Sequence, residues 1–235
     1  MQESKKNFKS PPKRFQPSGL SILYEDHDIL VVDKMSGLLT VSNEKVKENT
    51  AYFLLTKYVR KGNQKSKNRI FIVHRLDRDA SGVIVFAKNE NAKRYLQAEW
   101  QGFKKIYYAV VHGTLPKKEG IITSYLTENR VHKMYSVDDP KKGKLAKTGY
   151  KVLRESKKYS LLEIDLLTGR KNQIRVHFSE KGCPIAGDKI YGEKKKGIKR
   201  LTLHAASITI LHPYTKEEMT FEAKVPAYFK TLLNS

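Results

Sequence analysis

The chain has 235 residues, a single cysteine (Cys183), 39% apolar residues, and 46 Lys plus Arg against 24 Asp plus Glu, a formal net charge of +22. That length can bury a core without staples, and one cysteine excludes an intrachain disulfide framework and fits a reducing compartment. The opening MQESKKNFKSPPKRFQPSG lacks the apolar core of a secretory signal, and no run approaches the roughly 18 apolar residues of a transmembrane helix, so a cytoplasmic protein is expected.

A field of this sign recruits polyanions and speeds their encounter without dictating a fold. Nucleic acid and an anionic membrane surface are the two candidates. A membrane binder concentrates its lysines on one amphipathic helix, whereas the basic residues here are scattered along the whole chain. Nucleic acid is the expected partner.

Residues 1–18 carry Lys5, Lys6, Lys9, Lys13 and Arg14 against Glu3, with three prolines and no periodicity. They are expected to form a flexible basic tail, ahead of one folded domain over 19–235. SILYEDHDILVVDK reads as two short strands broken at Asp26, His27 and Asp28. AYFLLTKYVRKG has helical spacing and stops at Gly62, before the basic loop NQKSKNR. VIVFAK is a buried-strand run, and NENAKRYLQAEWQGF a helix capped by Asn89 or Asn91 and ending at Gly102. KIYYAVVHG, GIITSYL, TGYKVLRES, YSLLEIDLL and LTLHAASITILHP read as strands. Between the last two, KNQIRVHFSEKG reads as a helix closing at Gly182. KEEMTFEAK gives a last strand, and PAYFKTLL a terminal helix with Pro226 at its start. Strand-rich stretches with a few helices and no strict alternation predict an α+β fold with a largely antiparallel sheet.

Ordinary chemistries find little support. The seven histidines (27, 74, 112, 132, 177, 204, 212) form no H-x₃-H pair, and one cysteine cannot supply a thiolate set. Neither phosphate-binding glycine motif is present. Ser81, in A-S-G, lacks the G-x-S-x-G elbow.

Three stretches stand out. HRLDRDASG sets Asp77 and Asp79 between arginines Arg75 and Arg78 and runs into an apolar strand. It is either a solvated polar turn or a site holding a carboxylate at a strand edge. In TGRKNQIRVHF, Arg170 is expected to enter a helix that also carries Arg175 and His177. Arg175 lies between Ile174 and Val176, near a buried boundary, where a guanidinium needs a carboxylate; Asp77 is the natural candidate. In KKIYYAVVHG, strand alternation puts Tyr107 and Tyr108 on opposite faces, one for the core and one able to stack on a base. A carboxylate, a guanidinium and an aromatic in a basic groove suit chemistry on an RNA nucleotide, or a glycosidase with its two carboxylates.

At these stretches the sequence resembles the RluA-type family of RNA pseudouridine synthases. HRLDRDASG is similar to the signature H-R-L-D-x-x-T-S-G, with Ala80 in place of threonine. KIYYAVVHG resembles K-x-Y-x-A…G. TGRKNQIRVHFSEKGCPIAGDKIYG resembles T-G-R-x-H-Q-I-R-V-H…G-x-P-I-x-G-D-x-x-Y-G, with Asn172 in place of histidine. RLTLHAASITILHP resembles L-x-L-H-A…H-P. Together they span about residues 20 to 230 in order.

The resemblance implies the pseudouridine synthase catalytic fold, with Asp77 as the catalytic aspartate rather than Asp79. Arg175 would pair with Asp77, keep it ionised and orient it. Tyr107 would stack on the target uracil, and Arg75 would support the space the base vacates. Leu203 would pack beside the aspartate and exclude water. Arg170 and His177 would be structural or RNA-facing. The reaction implied is isomerisation of uridine in ribosomal RNA, transfer RNA or both, on a base flipped out of its stack. No cofactor or metal is expected, and the partner is RNA rather than DNA or membrane, with the protein a monomer. NQKSKNR, PKKGKLAK and GEKKKGIKR would carry most phosphate contacts. The alternatives are a non-catalytic basic RNA-binding or ribosome-assembly protein, which has no use for Asp77 paired with Arg175, and a hydrolase that frees uracil.

Overall fold

A computed structural model describes residues 8–42, 44, 46–192 and 198–234. The chain divides into two compact units, one of residues 1–103 with 209–223 and the other of residues 104–208 with 224–235.

In the first unit, β1 (Leu20–Glu25) pairs antiparallel with β2 (Ile29–Lys34), and β2 with β4 (Ser81–Ala87). The reversal between β1 and β2 is fixed by Asp26, whose Oδ1 accepts from the backbone N–H of Asp28 and Ile29, both at 2.8 Å. β4 also takes a two-residue partner, β3 (Phe71–Ile72). All seven residues of β4 are buried, as its unbroken apolar run requires of a strand covered on both faces. Helix α1 (Ala51–Val59) starts at Thr50, whose Oγ1 accepts from Phe53 N–H, and Gly62 beyond it has φ +78°. Helix α2 (Glu90–Glu99) is capped by Asn89 accepting from Ala92 N–H at 2.8 Å, one of the two caps expected.

Residues 8–18 follow the edge of β1. Ser10 Oγ donates to Ile22 O at 2.7 Å, Gln16 Oε1 accepts from Ile22 N–H at 2.9 Å, and the Phe8 ring meets Tyr24 at 5.4 Å. These side chains occupy backbone groups that an edge strand otherwise offers to another chain. Lys9, Lys13 and Arg14 of that segment are exposed, while Glu3, Lys5 and Lys6 lie outside the described residues.

The second unit is built on β5 (Lys104–His112), β6 (Glu119–Glu128), β7 (Met134–Val137), β8 (Lys144–Glu155) and β9 (Tyr159–Asp165). They lie in the order β5-β9-β8-β6-β7, every pair antiparallel. β10 (Leu203–Leu211) flanks β5, and its last residues, with β11 (Glu218–Glu222), belong to the first unit. Helix α3 (Gln173–Glu180) packs through Val176 into a cluster of Leu126, Met134, Ala146 and Tyr191. Helix α4 (Tyr228–Leu233) sends Phe229 against Val110 and Ala186. The helices and largely antiparallel strands are those of the expected α+β fold. Two short strands, β3 and β7, were not anticipated. No helix among the described residues is long and apolar enough to cross a membrane.

Gly187 turns the chain between Ile185 and Asp188 with φ +78°, and a Cβ there would lie 2.0 Å from the Arg200 carbonyl oxygen. Gly187→Ala is therefore expected to cost about 3 kcal/mol, from strain and backbone collision together. Chemical denaturation checks this; an unchanged midpoint would contradict the turn's geometry.

Candidate active site

The first unit holds Arg75 and Asp77 on the loop from Val73 to Ala80, between β3 and β4. Arg75, Arg78 and Asp79 are exposed, while Asp77 is half-buried between the buried Leu76 and Ala80. The loop is held by its backbone. Thr40 Oγ1 donates to Leu76 O at 2.9 Å, and Ser36 Oγ to Asp79 O at 2.7 Å. Gly37 N–H donates to Arg78 O at 2.9 Å, and Arg78 Nε returns a bond to Gly37 O at 3.2 Å.

Lys34 closes this arrangement. It is fully buried, and Nζ lies 2.7 Å from Ala80 O, 2.9 Å from Leu38 O, 3.1 Å from Met35 O and 3.2 Å from Arg78 O. Burial pushes its pKa down to about 8, against the pull of Asp77, Asp79 and Asp33. At neutral pH it is an ammonium whose N–H groups are shared among carbonyls. The carbonyls of residues 76, 78, 79 and 80 are thus all engaged by segment 34–40. Nothing in the sequence reading gave that segment a role. The available signal was a lysine closing the apolar run ILVVDK.

The second unit holds Tyr107, Arg170, Arg175 and Leu203. Tyr107 is buried on β5 opposite Ile164. Tyr108, on the other face, packs against the Val110–Ala186–Phe229 cluster and donates from its hydroxyl to Glu163 at 3.3 Å. Tyr108 is half-buried there, and Tyr107 is the more buried of the pair. Leu203 is buried at the start of β10. Arg170 does not enter a helix: α3 begins three residues later. The physical reason is Gln173, whose Oε1 accepts from Arg170 N–H at 3.0 Å and Thr168 Oγ1 at 2.8 Å, while its Nε2 donates to Lys147 O and Thr148 Oγ1. That stitching holds 168–172 as a loop on β8, and Arg170 Nε donates to Leu145 O at 2.9 Å.

Arg175 is buried on α3. Its Nε donates to Asp188 Oδ2 at 2.7 Å and its Nη2 to Asp188 Oδ1 at 2.8 Å. Its Nη1 donates to Asn172 Oδ1 at 2.9 Å, and its Cζ lies 5.1 Å from the centre of the Tyr191 ring. Burial opposes the charge of Asp188, yet the Arg175 bonds and the N–H groups of Tyr191 and Ile190 hold its carboxyl below the usual range. The carboxylate that burial demands for Arg175 is therefore supplied within its own unit, by Asp188. The sequence signal was the aspartate of PIAGDKIYG, which had been quoted without a role. Asn172, which stands in place of histidine in the motif, touches the guanidinium directly.

His177 is buried and shares hydrogen bonds with Ser124 Oγ at 3.0 Å and Thr148 Oγ1 at 2.9 Å. Burial pushes its pKa down to about 4, so it stands neutral and structural. Asp26, Asp28 and His212 come close enough to suggest a metal centre. His212 Nδ1, however, accepts from Tyr214 and Thr215 N–H, which puts the proton on Nε2, bonded to Asp26 Oδ2 at 2.9 Å. That triad is a tether between the β1–β2 turn and the end of β10. Of the basic loops, NQKSKNR and the lysines 141 and 142 of PKKGKLAK are mostly exposed, as are Lys199 and Arg200. Residues 193–197 of GEKKKGIKR lie outside the described residues.

Lys34→Met should cost about 3 kcal/mol by stranding buried carbonyls. The pH dependence has a definite sign. Because the folded-state pKa of Lys34 lies below its unfolded value of 10.5, the unfolded chain binds more protons between about pH 8 and 10.5, and stability gains from this group across that window. The difference in stability between wild type and Lys34→Met should therefore widen as pH rises from 8 to 10. A constant difference in denaturant titrations would contradict the burial of a charged Lys34.

Comparison with known proteins shows the family of the chain. Residues 28–180 match the family model described as RNA pseudouridylate synthase. A Bacillus subtilis (strain 168) protein described as an uncharacterized RNA pseudouridine synthase, YhcT, is 38% identical over 217 residues, covering 91% of this chain and 71% of that one. The ribosomal large subunit pseudouridine synthase C of Vibrio vulnificus (strain CMCP6) is 31% identical over 223 residues, covering 91% and 68%. The structure of human RNA pseudouridylate synthase domain containing 4 superposes with a TM-score of 0.75 at 23% identity, over 91% of each chain, a likeness of fold. With a family model matched over more than half its length and relatives of this identity, the chain belongs to the RNA pseudouridine synthases, isomerases that act on uridine in RNA.

Proposed function

We propose that the protein isomerises uridine in large-subunit ribosomal RNA, with Asp77 as the catalytic aspartate, Tyr107 as the stacking platform and Arg175 as the cation that pairs with Asp77 and orients it. The likeness to the ribosomal large subunit pseudouridine synthase C of Vibrio vulnificus supports the choice of ribosomal RNA. The observation that carries the assignment of Asp77 is the loop itself. Four backbone carbonyls around one half-buried carboxylate are tied to segment 34–40, while neighbouring Asp79 is exposed. A carboxylate on so constrained a backbone loses little freedom when a substrate arrives.

In the reaction the target nucleotide leaves its stack, since the reacting atoms are inaccessible within a helix. The C1′–N1 bond breaks, the detached uracil turns while stacked on Tyr107, and C5 bonds to C1′. The hydrogen on C5 then leaves as a proton, and N1, no longer bonded to the sugar, takes one up, so the composition of the base is unchanged. Leu203 keeps water from the detached base. Arg75, exposed on the Asp77 loop, supports the RNA strand where the base has left. Arg170, half-buried and bonded to Leu145 O, shapes the loop ahead of α3.

Asp77→Asn is expected to lower conversion of uridine to pseudouridine by about a thousandfold or more, with RNA affinity close to wild type. Nucleoside digests and filter binding measure the two, on ribosomal and transfer RNA in parallel. Near-wild-type turnover would remove Asp77 from the chemistry, and turnover confined to transfer RNA would replace the substrate. Tyr107→Ala should weaken binding of the target RNA by about 1–3 kcal/mol while Tyr107→Phe keeps most of it. Equal losses would contradict stacking.

A further inference from the structure

Arg175 is held on three sides by residues that neither its own helix nor the reaction chemistry requires. Asp188 grips Nε and Nη2 side-on, which fixes the plane of the guanidinium. Asn172 accepts from Nη1 and fixes rotation about that grip. The Tyr191 ring lies against the guanidinium, and the Tyr191 hydroxyl accepts from Asn172 Nδ2 at 3.2 Å and from Met134 N–H at 2.9 Å. Asp188 is locked in turn, its Oδ1 accepting from the N–H of Ile190 and Tyr191 at 2.9 and 3.0 Å.

The backbone at Asn172 bears on this. It sits at φ +54° and ψ +16°, immediately before α3, and its side chain caps no helix N–H. That left-handed conformation is uncommon for a residue with a Cβ, although asparagine tolerates it better than most. In that conformation its amide bridges Arg175 and Tyr191. A strained residue spent on orienting one guanidinium is an observation that points to function.

We propose that Asn172 and Asp188 are positioning residues for the isomerisation, presetting the plane and rotation of the Arg175 guanidinium before RNA arrives. The inference rests on the reading that Arg175 serves the catalytic aspartate. An unrestrained arginine carries substantial rotamer entropy, and an arginine already locked does not lose it at the transition state. Asp188 also answers the charge of Arg175, so the cation is stable inside its unit whether or not substrate is bound.

The test is a set of variants read as kcat and KM on the target RNA, with folding followed by thermal melting. Asn172→Gly accepts the left-handed backbone and deletes both side-chain bonds. It should lower kcat by about ten- to a hundredfold with KM near wild type. Asn172→Asp keeps the oxygen that receives Nη1 and should restore most of the rate. In the Arg175→Lys background, Asn172→Gly should cause no further loss, because its effect passes through the guanidinium. Asp188→Asn should lose kcat and stability together, so the Asn172 series carries the decision. Wild-type kcat in Asn172→Gly, or full additivity with Arg175→Lys, would overturn the inference and leave the role of Arg175 standing. Wild-type kcat in Arg175→Lys would overturn that role first and this inference with it.

Discussion

A buried cation survives only where oxygen surrounds it, and both units of this protein are arranged to meet that requirement. In one, Lys34 sits with no exposed surface and gathers four carbonyl oxygens from two segments of chain. In the other, Arg175 is enclosed by a carboxylate, an amide oxygen and an aromatic face. The cost of leaving either cation unanswered is several kcal/mol, comparable to the net stability of a whole domain. The path of the chain around each is therefore constrained far more tightly than apolar packing alone would demand. The loop carrying Asp77 and the turn carrying Asp188 are where that constraint shows.

The two cations are suited to different work. Lysine is a compact charge that accommodates any set of acceptors around a point, and Lys34 uses it to draw carbonyls of a loop inward. Arginine is a planar fork with directional donors, and the Asp188–Asn172 pair exploits the plane. A family whose chemistry detaches a base and rejoins it through another atom needs groups that do not wander while the base is free. Rigid placement is what preorganised sites contribute to catalysis, and the bonds around Lys34 and Arg175 would supply it to the site residues proposed above.

Much of this could be read in the sequence, where local signals agree with the final environment. The apolar VIVFA of VIVFAK lies in a wholly buried strand, Asn89 caps α2 as its spacing suggested, and Gly62 and Gly182 close helices with positive φ. The four motifs in order carried the family. What escaped was long-range or depended on one side chain overriding a local preference. Arg170 and Lys171 look helical, yet Gln173 bonds backward to residues 168 and 170 and delays the helix. β7 and β3 are too short for alternation to mark them. The demand of Arg175 for a carboxylate was legible, but its answer within the unit, Asp188, depends on the Gly187 turn bringing 188–191 back against α3, and no periodicity encodes that return. Lys34 read as the polar end of a strand, since one lysine gives no sign of four carbonyls gathered from residues up to 46 positions away.

The most direct measurement is hydrogen release from uridine C5 in RNA labelled with tritium at that carbon, followed together with the nucleosides formed. Isomerisation requires one tritium released to solvent for each pseudouridine formed, with no free uracil at any time. Free uracil in proportion to lost uridine, or binding of RNA with no tritium release at all, would contradict the account.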